Sequence, residues 1–399
     1  MMLLENPRAL RDQYAKALLE DVIPFWLRHS PDRECGGYFT CLERDGRVFD
    51  TDKFVWLQAR QVWMFSKFYN ALEPRPEFLE IAALGARFLA DHGHDANGDF
   101  YFALDRRGTP LVQPYNIFSD CFAAMAFAEF GRASGEEWAT QLATRTFERI
   151  LARWENPKGQ YNKLVPGSRP MRSMVLPMIT INLALELGGA LPDYPVADVI
   201  RENLARVMDD FVDPDTHLIY EHIAPDGSHP DTFDGRLINP GHGIEAMWFV
   251  MDAAHQLGEH TLVERAADAL EAQLQFGWDP EYEGIFYFMD ALGKPPQQLE
   301  WDQKLWWVHM ETLVGLLLGW HLTRRQSLAE WYDRVHAYAW SHFPDPEYGE
   351  WWGYLNRRGE VLLNLKGGKW KGCFHVPRGL FRCRQILDEV VASQEAGNA

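Results

Sequence analysis

Two hydrophobic rhythms alternate along the chain. Stretches such as FLEIAALGARFLADHG, WATQLATRTFERILARW and ALRDQYAKALLEDVIPFWL place apolar residues at helical spacing with charges between them. This pattern predicts helices with one buried stripe. A second set is apolar around most of its circumference: VWLQARQVWMFSKFYNAL, IFSDCFAAMAFAEFG, SMVLPMITINLALELG, GHGIEAMWFVMDAAHQLG, LWWVHMETLVGLLLGWH and FHVPRGLFRCRQILDEV. These predict fully buried helices, and several end at Gly, an ordinary helix stop.

Between the two sets the period shortens to two. Six short copies of a Gly or polar residue, an aromatic-rich strand and a Gly turn read as hairpins. They are GGYFTCLERDGRV from Gly36, GDFYFALDRRGTP from Gly98, GQYNKLVPGSRP from Gly159, HLIYEHIAPDGSH from His217, GIFYFMDALGKPP from Gly284 and GEWWGYLNRRGEV from Gly349. Their turn glycines, Gly46, Gly108, Gly167, Gly227, Gly293 and Gly359, lie 62, 59, 60, 66 and 66 residues apart. Such regularity belongs to supersecondary units that bury their faces against their neighbours.

With the striped helices outside and the apolar ones inside, this predicts an all-α fold: an (α/α)6 barrel of six helix pairs with short β-hairpins at one face, forming one domain over residues 1–399. An open solenoid is the alternative, and the lack of an obvious capping repeat favours closure. The pocket is expected at the hairpin face. There the inner helix N-termini bring free N–H groups and positive dipole ends that suit oxygen-rich ligands. Tyr38, Tyr101, Tyr220, Tyr287, Trp351 and Trp352 either wall that pocket against sugar rings or fill the core.

Composition narrows the partners. The chain is 47% hydrophobic and 14% aromatic, with 16 Trp and 24 Phe, which excludes a disordered profile. A net charge of -18, from 39 Lys and Arg against 57 Asp and Glu, opposes binding to nucleic acid or an anionic membrane. A small neutral partner is expected. The five cysteines form no CxxC pair and are odd in number, which argues against a disulfide framework. MMLLENPRAL shows no export signal, and the apolar run Leu313–Trp320 is far short of the roughly 20 residues of a membrane span. The expected location is the cytoplasm.

Near the starts of the apolar helices stand Arg60, Asp120, Asn182, His242 with Glu245, Glu311, and His375 with Arg378. Polar groups in such segments must be paired or put to use. His242 follows Asn239-Pro240-Gly241, a helix-start signal, and Glu245 shares its face three residues later. A carboxylate beside an imidazole fixes its tautomer and raises its proton affinity, as a general base near neutrality requires. An ion pair closing the helix start explains the same residues. His375 opens the last inner helix, and Cys373 reads as core. No HExxH, HxH or cysteine cluster calls for a metal, His309 and Glu311 being a weak signal. LKGGKWKG, from Leu365 to Gly372, is basic enough to touch an anion but lacks the context of a phosphate loop.

Four segments, GGYFTCLERDGRVFDTDKFVWLQARQVWMFSKFYN, NPGHGIEAMWF, KLWWVHMETL and KWKGCFHVPR, resemble the N-acylglucosamine 2-epimerase family, and the similarity runs the full length. The resemblance implies an (α/α)6 barrel, interconversion of N-acetyl-D-glucosamine and N-acetyl-D-mannosamine, a homodimer, and activation by ATP that is not consumed. It marks Arg60, His242, Glu245, Glu311, His375 and Arg378 as active-site residues, with Lys163 as a further basic position. Asn182 stands where related free-sugar isomerases and disaccharide epimerases carry His, which favours the N-acyl branch.

On this reading His242 and His375 exchange a proton at C2 of the open-chain sugar, and no cofactor is needed for the chemistry. Arg60 stabilises the enediolate oxygen, Glu245 and Glu311 orient the histidines, and Trp307 packs on the sugar. Alternatives within carbohydrate chemistry are another aldose 2-epimerase or aldose-ketose isomerase, or an inverting glycoside hydrolase drawing two carboxylates from Asp120, Glu245 and Glu311. A non-catalytic protein-binding module is the alternative outside it.

Overall fold

The computed structural model describes residues 2–165, 167–191 and 193–397. Residue 166 of the third hairpin copy and the extreme ends of the 1–399 span lie outside the described residues. Six inner helices run Val55–Ala71, Phe118–Ser134, Val175–Ala190, Pro240–Leu257, Trp306–Thr323 and His375–Gly397. Each is preceded by an outer segment, at 7–29, Pro76–His92, Glu137–Ala152, 197–211, His260–Gly277 and Gln326–His342. The first segment contains a π-helical stretch at Ala17–Val22, and the fourth ends in one at Arg206–Phe211.

Burial follows the two rhythms. The fifth inner helix is buried at every position from Trp306 to Trp320. The outer helix Pro76–His92 buries only a stripe, Phe78, Ile81, Ala82, Gly85, Ala86, Phe88 and Leu89. The inner helices therefore line the interior and the outer ones face water, as an (α/α)6 barrel requires.

The ring closes through one recurring junction. Asp32, Asp279 and Asp345 are buried, and each meets a buried lysine: Lys53 at 3.0 Å, Lys304 at 3.1 Å and Lys366 at 2.8 Å. Each also accepts from an arginine two residues before the turn glycine of the next repeat: Arg106, Arg357 and Arg44, all at 2.9 Å. The third of these ties repeat six back to repeat one. A bridge between Glu43 and Leu365 joins the same ends. Inside, Trp63 meets Phe374 and Phe68 meets Phe381, with ring centroids 5.6 and 6.0 Å apart.

The six turn glycines all have positive φ, between 69° and 93°, so the turns are as expected. The strands pair differently. Lys53–Phe54 pairs with Ala103–Leu104, Arg172–Ser173 with His222–Ile223, Leu237–Ile238 with Met289–Asp290, and Lys304–Leu305 with Tyr354–Leu355, all antiparallel. Each ladder thus links an inner helix start to the hairpin of the following repeat. Pairing within a repeat shrinks to Ala103–Leu104 with Pro110–Val112 and single bridges such as Leu42 to Val48. The third copy forms a 3-10 turn at Gly159–Tyr161 instead of a hairpin. Its Asn162, Lys163 and Leu164 are exposed, so the segment has no apolar face to dock.

Removing one member of a buried ion pair strands the other charge, at a cost of about 3–5 kcal/mol. Asp345→Asn is expected to destabilise the protein on that scale, measured by urea unfolding, because it leaves buried Lys366 without the carboxylate 2.8 Å away; Lys366→Met, which leaves Asp345 its Arg44 partner at 2.9 Å, is expected to cost less. Acid unfolding follows the same carboxylates. Burial works against ionisation of Asp32, but hydrogen bonds from Arg106 and Lys53 outweigh it and hold the acid at about 2. Its stabilisation is complete above about pH 4 and is lost as pH falls through 2.

Candidate active site

Hairpin backbone groups hold the inner helix starts: Val55 N donates to Phe102 O at 3.0 Å, Met174 N to Glu221 O at 3.0 Å and Trp306 N to Gly353 O at 3.1 Å. At the fourth start, the Asn239 side chain accepts from His242 N at 3.1 Å and Pro240 opens the first turn. The sixth start follows the stretch 366–374. Its Lys371 pairs with buried Glu350 and donates to Lys366 O at 2.8 Å. Lys366 and Lys371 of the basic Gly-rich motif therefore point inward as anchors, leaving Lys369 exposed.

Two carboxylate-backed imidazoles result. His375 Nδ1 lies 2.7 Å from Glu311 Oε1. His242 Nδ1 lies 3.0 and 3.1 Å from the two oxygens of Glu221. Because a carboxylate only accepts, both rings carry a proton on Nδ1 and offer Nε2 for transfer. Trp307 stands beside both, its ring centroid 5.2 Å from that of His242 and 5.7 Å from that of His375. Tyr287 meets the same indole edge-on at 6.1 Å.

The expected His242–Glu245 contact is not made. Glu245 instead accepts from Arg378 Nη2 at 2.6 Å, since a buried guanidinium offers a charge-assisted bond that a same-helix imidazole does not match. Glu221, absent from the sequence candidates, takes that place. Its only advance sign is an acidic residue within the apolar alternation of HLIYEHI. Glu311 also receives Arg378 Nη2 at 2.7 Å and Trp248 Nε1 at 3.0 Å.

Arg60 completes the cluster, with Nη1 3.4 Å from His375 Nε2. Its guanidinium carbon lies 4.4, 4.0 and 4.4 Å from the ring centres of Trp56, Phe122 and Phe374. Burial presses Arg60 down to about 9, which leaves it cationic near neutrality. Burial, followed by the charge of Arg60, holds His375 well below the ordinary imidazole range. Burial also acts against His242, but the charge and hydrogen bond of Glu221 outweigh it and raise the imidazole. The His242 side chain keeps 27% of its exposure against 9% for His375, so solvent protons reach it more readily.

The remaining candidates make other contacts. Asn182 is buried on the third inner helix, with its amide nitrogen 3.6 Å from Met125 Sδ. Lys163 is exposed and joins none of these contacts, because its segment lacks the strand that would carry it inward. Asp120 anchors a hairpin, accepting from Phe100 N at 3.2 Å, and burial pushes it up to about 7. His309 does the same for Ile285 N at 3.1 Å. Cys373 is buried, and burial pushes its thiol well above the usual range, so it is core.

Among the described residues, Glu245, Glu311 and His375 bring donor atoms within 4.8 Å of one another. Arg378 already supplies the cation to both carboxylates. Both bound to Arg378, Glu245 and Glu311 hold their nearest oxygens closer than the roughly 6.5–9.5 Å at which an inverting hydrolase places its two acids.

An (α/α)6 ring with carboxylate-backed histidines and an indole at its mouth is, by class, a carbohydrate epimerase, an isomerase. The model of the family N-acylglucosamine 2-epimerase (GlcNAc 2-epimerase) matches residues 37–376, and the chain belongs to that family. It is 40% identical over 398 residues to the N-acylglucosamine 2-epimerase of Bos taurus, covering 97% of this chain and 93% of that one. Identity to the Homo sapiens protein of the same name is 38% over 384 residues, covering 94% and 89%. The solved cellobiose 2-epimerase from Spirochaeta thermophila shares the fold with a TM-score of 0.82 at 22% identity, over 98% of this chain and 99% of that one.

Trp307→Ala is expected to raise KM for the sugar about tenfold, equivalent to about 1.4 kcal/mol of lost contact, with a smaller fall in kcat. Steady-state kinetics read this split. An unchanged KM removes Trp307 from the substrate surface.

Proposed function

We propose that this enzyme interconverts N-acetyl-D-glucosamine and N-acetyl-D-mannosamine by moving the C2 proton of the open-chain sugar through His242 and His375. The observation that carries this reading is the pair of imidazoles, each backed at Nδ1 by a carboxylate and both beside one indole. The relatives about 40% identical are named N-acylglucosamine 2-epimerase, and inversion at C2 of N-acetyl-D-glucosamine gives N-acetyl-D-mannosamine.

Ring opening exposes the C1 aldehyde and acidifies the C2 proton. One neutral imidazole takes that proton at Nε2, and the freed electron pair forms the C1=C2 bond of an enolate, with negative charge on O1 and the acetamido nitrogen still on C2. Arg60, beside His375 and with an Nε that has no partner among the described residues, supplies positive charge for that oxygen. The second imidazole then returns a proton to the other face of C2. The configuration inverts, and no atom is gained or lost. Glu311 orients His375, while Arg378 holds Glu245 and Glu311 together. Lys163 and Asn182 remain substrate-binding residues in this proposal, on the strength of the family resemblance. Activation by unconsumed ATP and a homodimer belong to it on the same basis, and a cytoplasmic location belongs to it as well.

His242→Ala and His375→Ala are each expected to lower kcat by about 10² to 10⁴ and to stop deuterium uptake at C2 in heavy water. NMR of both sugars, with and without ATP, reads this directly. Near-normal exchange in either variant sinks the two-histidine mechanism. The pH profile of kcat/KM follows from the two imidazoles: it rises as His375 loses its proton, below 6.5, and falls as His242 loses its proton, above 6.5.

A further inference from the structure

We propose that Glu221 is a positioning residue that keeps one proton on His242, so that the two histidines rest as an acid and a base; this inference rests on the two-histidine reading above.

The fold does not require a charge at this position. Five equivalent bridges, Pro31 to Tyr38, His94 to Phe100, Val212 to Ile219, Trp278 to Ile285 and Pro344 to Trp351, set a common register. Two residues beyond them stand Thr40, Phe102, Glu221, Tyr287 and Gly353. Among these five repeats only the fourth places a carboxylate there, and it is the repeat whose inner helix carries His242. Its backbone is held from both sides, with Glu221 N donating to Leu237 O at 3.1 Å and Met174 N donating to Glu221 O at 3.0 Å. The carboxylate sits on backbone pinned by these two bonds, one residue before the strand His222–Ile223.

The two dyads differ in what else their carboxylates touch. Glu311 divides its charge among His375, Arg378 and Trp248. Among the described residues, Glu221 bonds through its carboxylate to His242 alone. At 7% exposure, a carboxylate without a cation is costly to keep ionised, and the imidazolium is the partner within reach. The buried charges agree. Glu221, Glu245 and Glu311 contribute three negative charges and Arg60 and Arg378 two positive ones, so neutrality calls for one more proton. The groups that act on His242 are Glu221 from the hairpin, Glu245 from its own helix, Arg60 from the first inner helix and His375 from the sixth, while the neighbouring Trp307 of the fifth is neutral. His222 adds positive influence on Glu221 when protonated. Placing the proton on His242 leaves His375 neutral beside two arginines, ready to accept.

Glu221→Gln keeps the side-chain shape and removes the charge. In the full-length enzyme it is expected to lower kcat about tenfold or more with KM within about threefold, and to move the alkaline limb of kcat/KM down by about one pH unit, because His242 then loses its proton earlier. A merely structural role lowers the rate without moving that limb. In the unsubstituted protein, 15N-histidine NMR is expected to show His242 titrating above 6.5. An unmoved limb, or titration of His242 at or below 6.5, overturns the proposal. His242→Ala separates the two readings: turnover retained in that variant defeats the histidine mechanism itself, whereas a dead His242→Ala beside an unmoved Glu221→Gln limb defeats only the role of Glu221.

Discussion

A helix that is apolar on every side has no face to show water, and it is stable only when neighbours enclose it all round. Six such helices meet that condition by closing into a ring. Closure is completed at the surface by Arg44 reaching Asp345 across the seam between the last repeat and the first, and inside by Phe381 of the sixth inner helix against Phe68 of the first. Once the ring is closed, residues far apart in the chain share one cluster: Arg60, His242, Glu311, His375 and Arg378 converge there without a loop having to carry them.

The enclosure that stabilises the helices also sets the electrostatics of the site. Charges withdrawn from water must be matched, and the ring matches them in two ways. At the repeat junctions, Asp32, Asp279 and Asp345 each hold a lysine and an arginine, an arrangement that is structural throughout. At the mouth, three glutamates face two arginines and two imidazoles, so the balance is left to titratable groups. A mobile proton is thereby confined where the reaction uses one. Trp307 lies alongside both imidazoles and joins the two halves of that arrangement.

The helices, their inside and outside assignment and the six turns were legible in the residues because each depends on contacts within a few positions. Gly46 and its five counterparts adopt positive φ as their turns demand. Strand pairing was not legible, since a short strand carries no label for its partner. Lys53–Phe54 could pair within its own hairpin or with the next, and it took the next. The same limit governs the site. Spacing alone made Glu245 the natural partner of His242, yet Arg378, 133 residues away, claims that carboxylate. Glu221 reaches His242 from the edge of a hairpin strand, 21 residues earlier, a separation no helical period predicts.

By itself the sequence determined the ring of helix pairs and which histidines lie at helix starts, because periodicity, glycine turns and capping residues act locally. Only the tertiary structure decided how the ends of the ring are joined, which carboxylate stands behind which imidazole, and that Lys366 and Lys371 are buried anchors while Lys163 stays in solvent. Those outcomes rest on competition among buried charges for partners, and that competition is settled in space, where distance along the chain no longer counts.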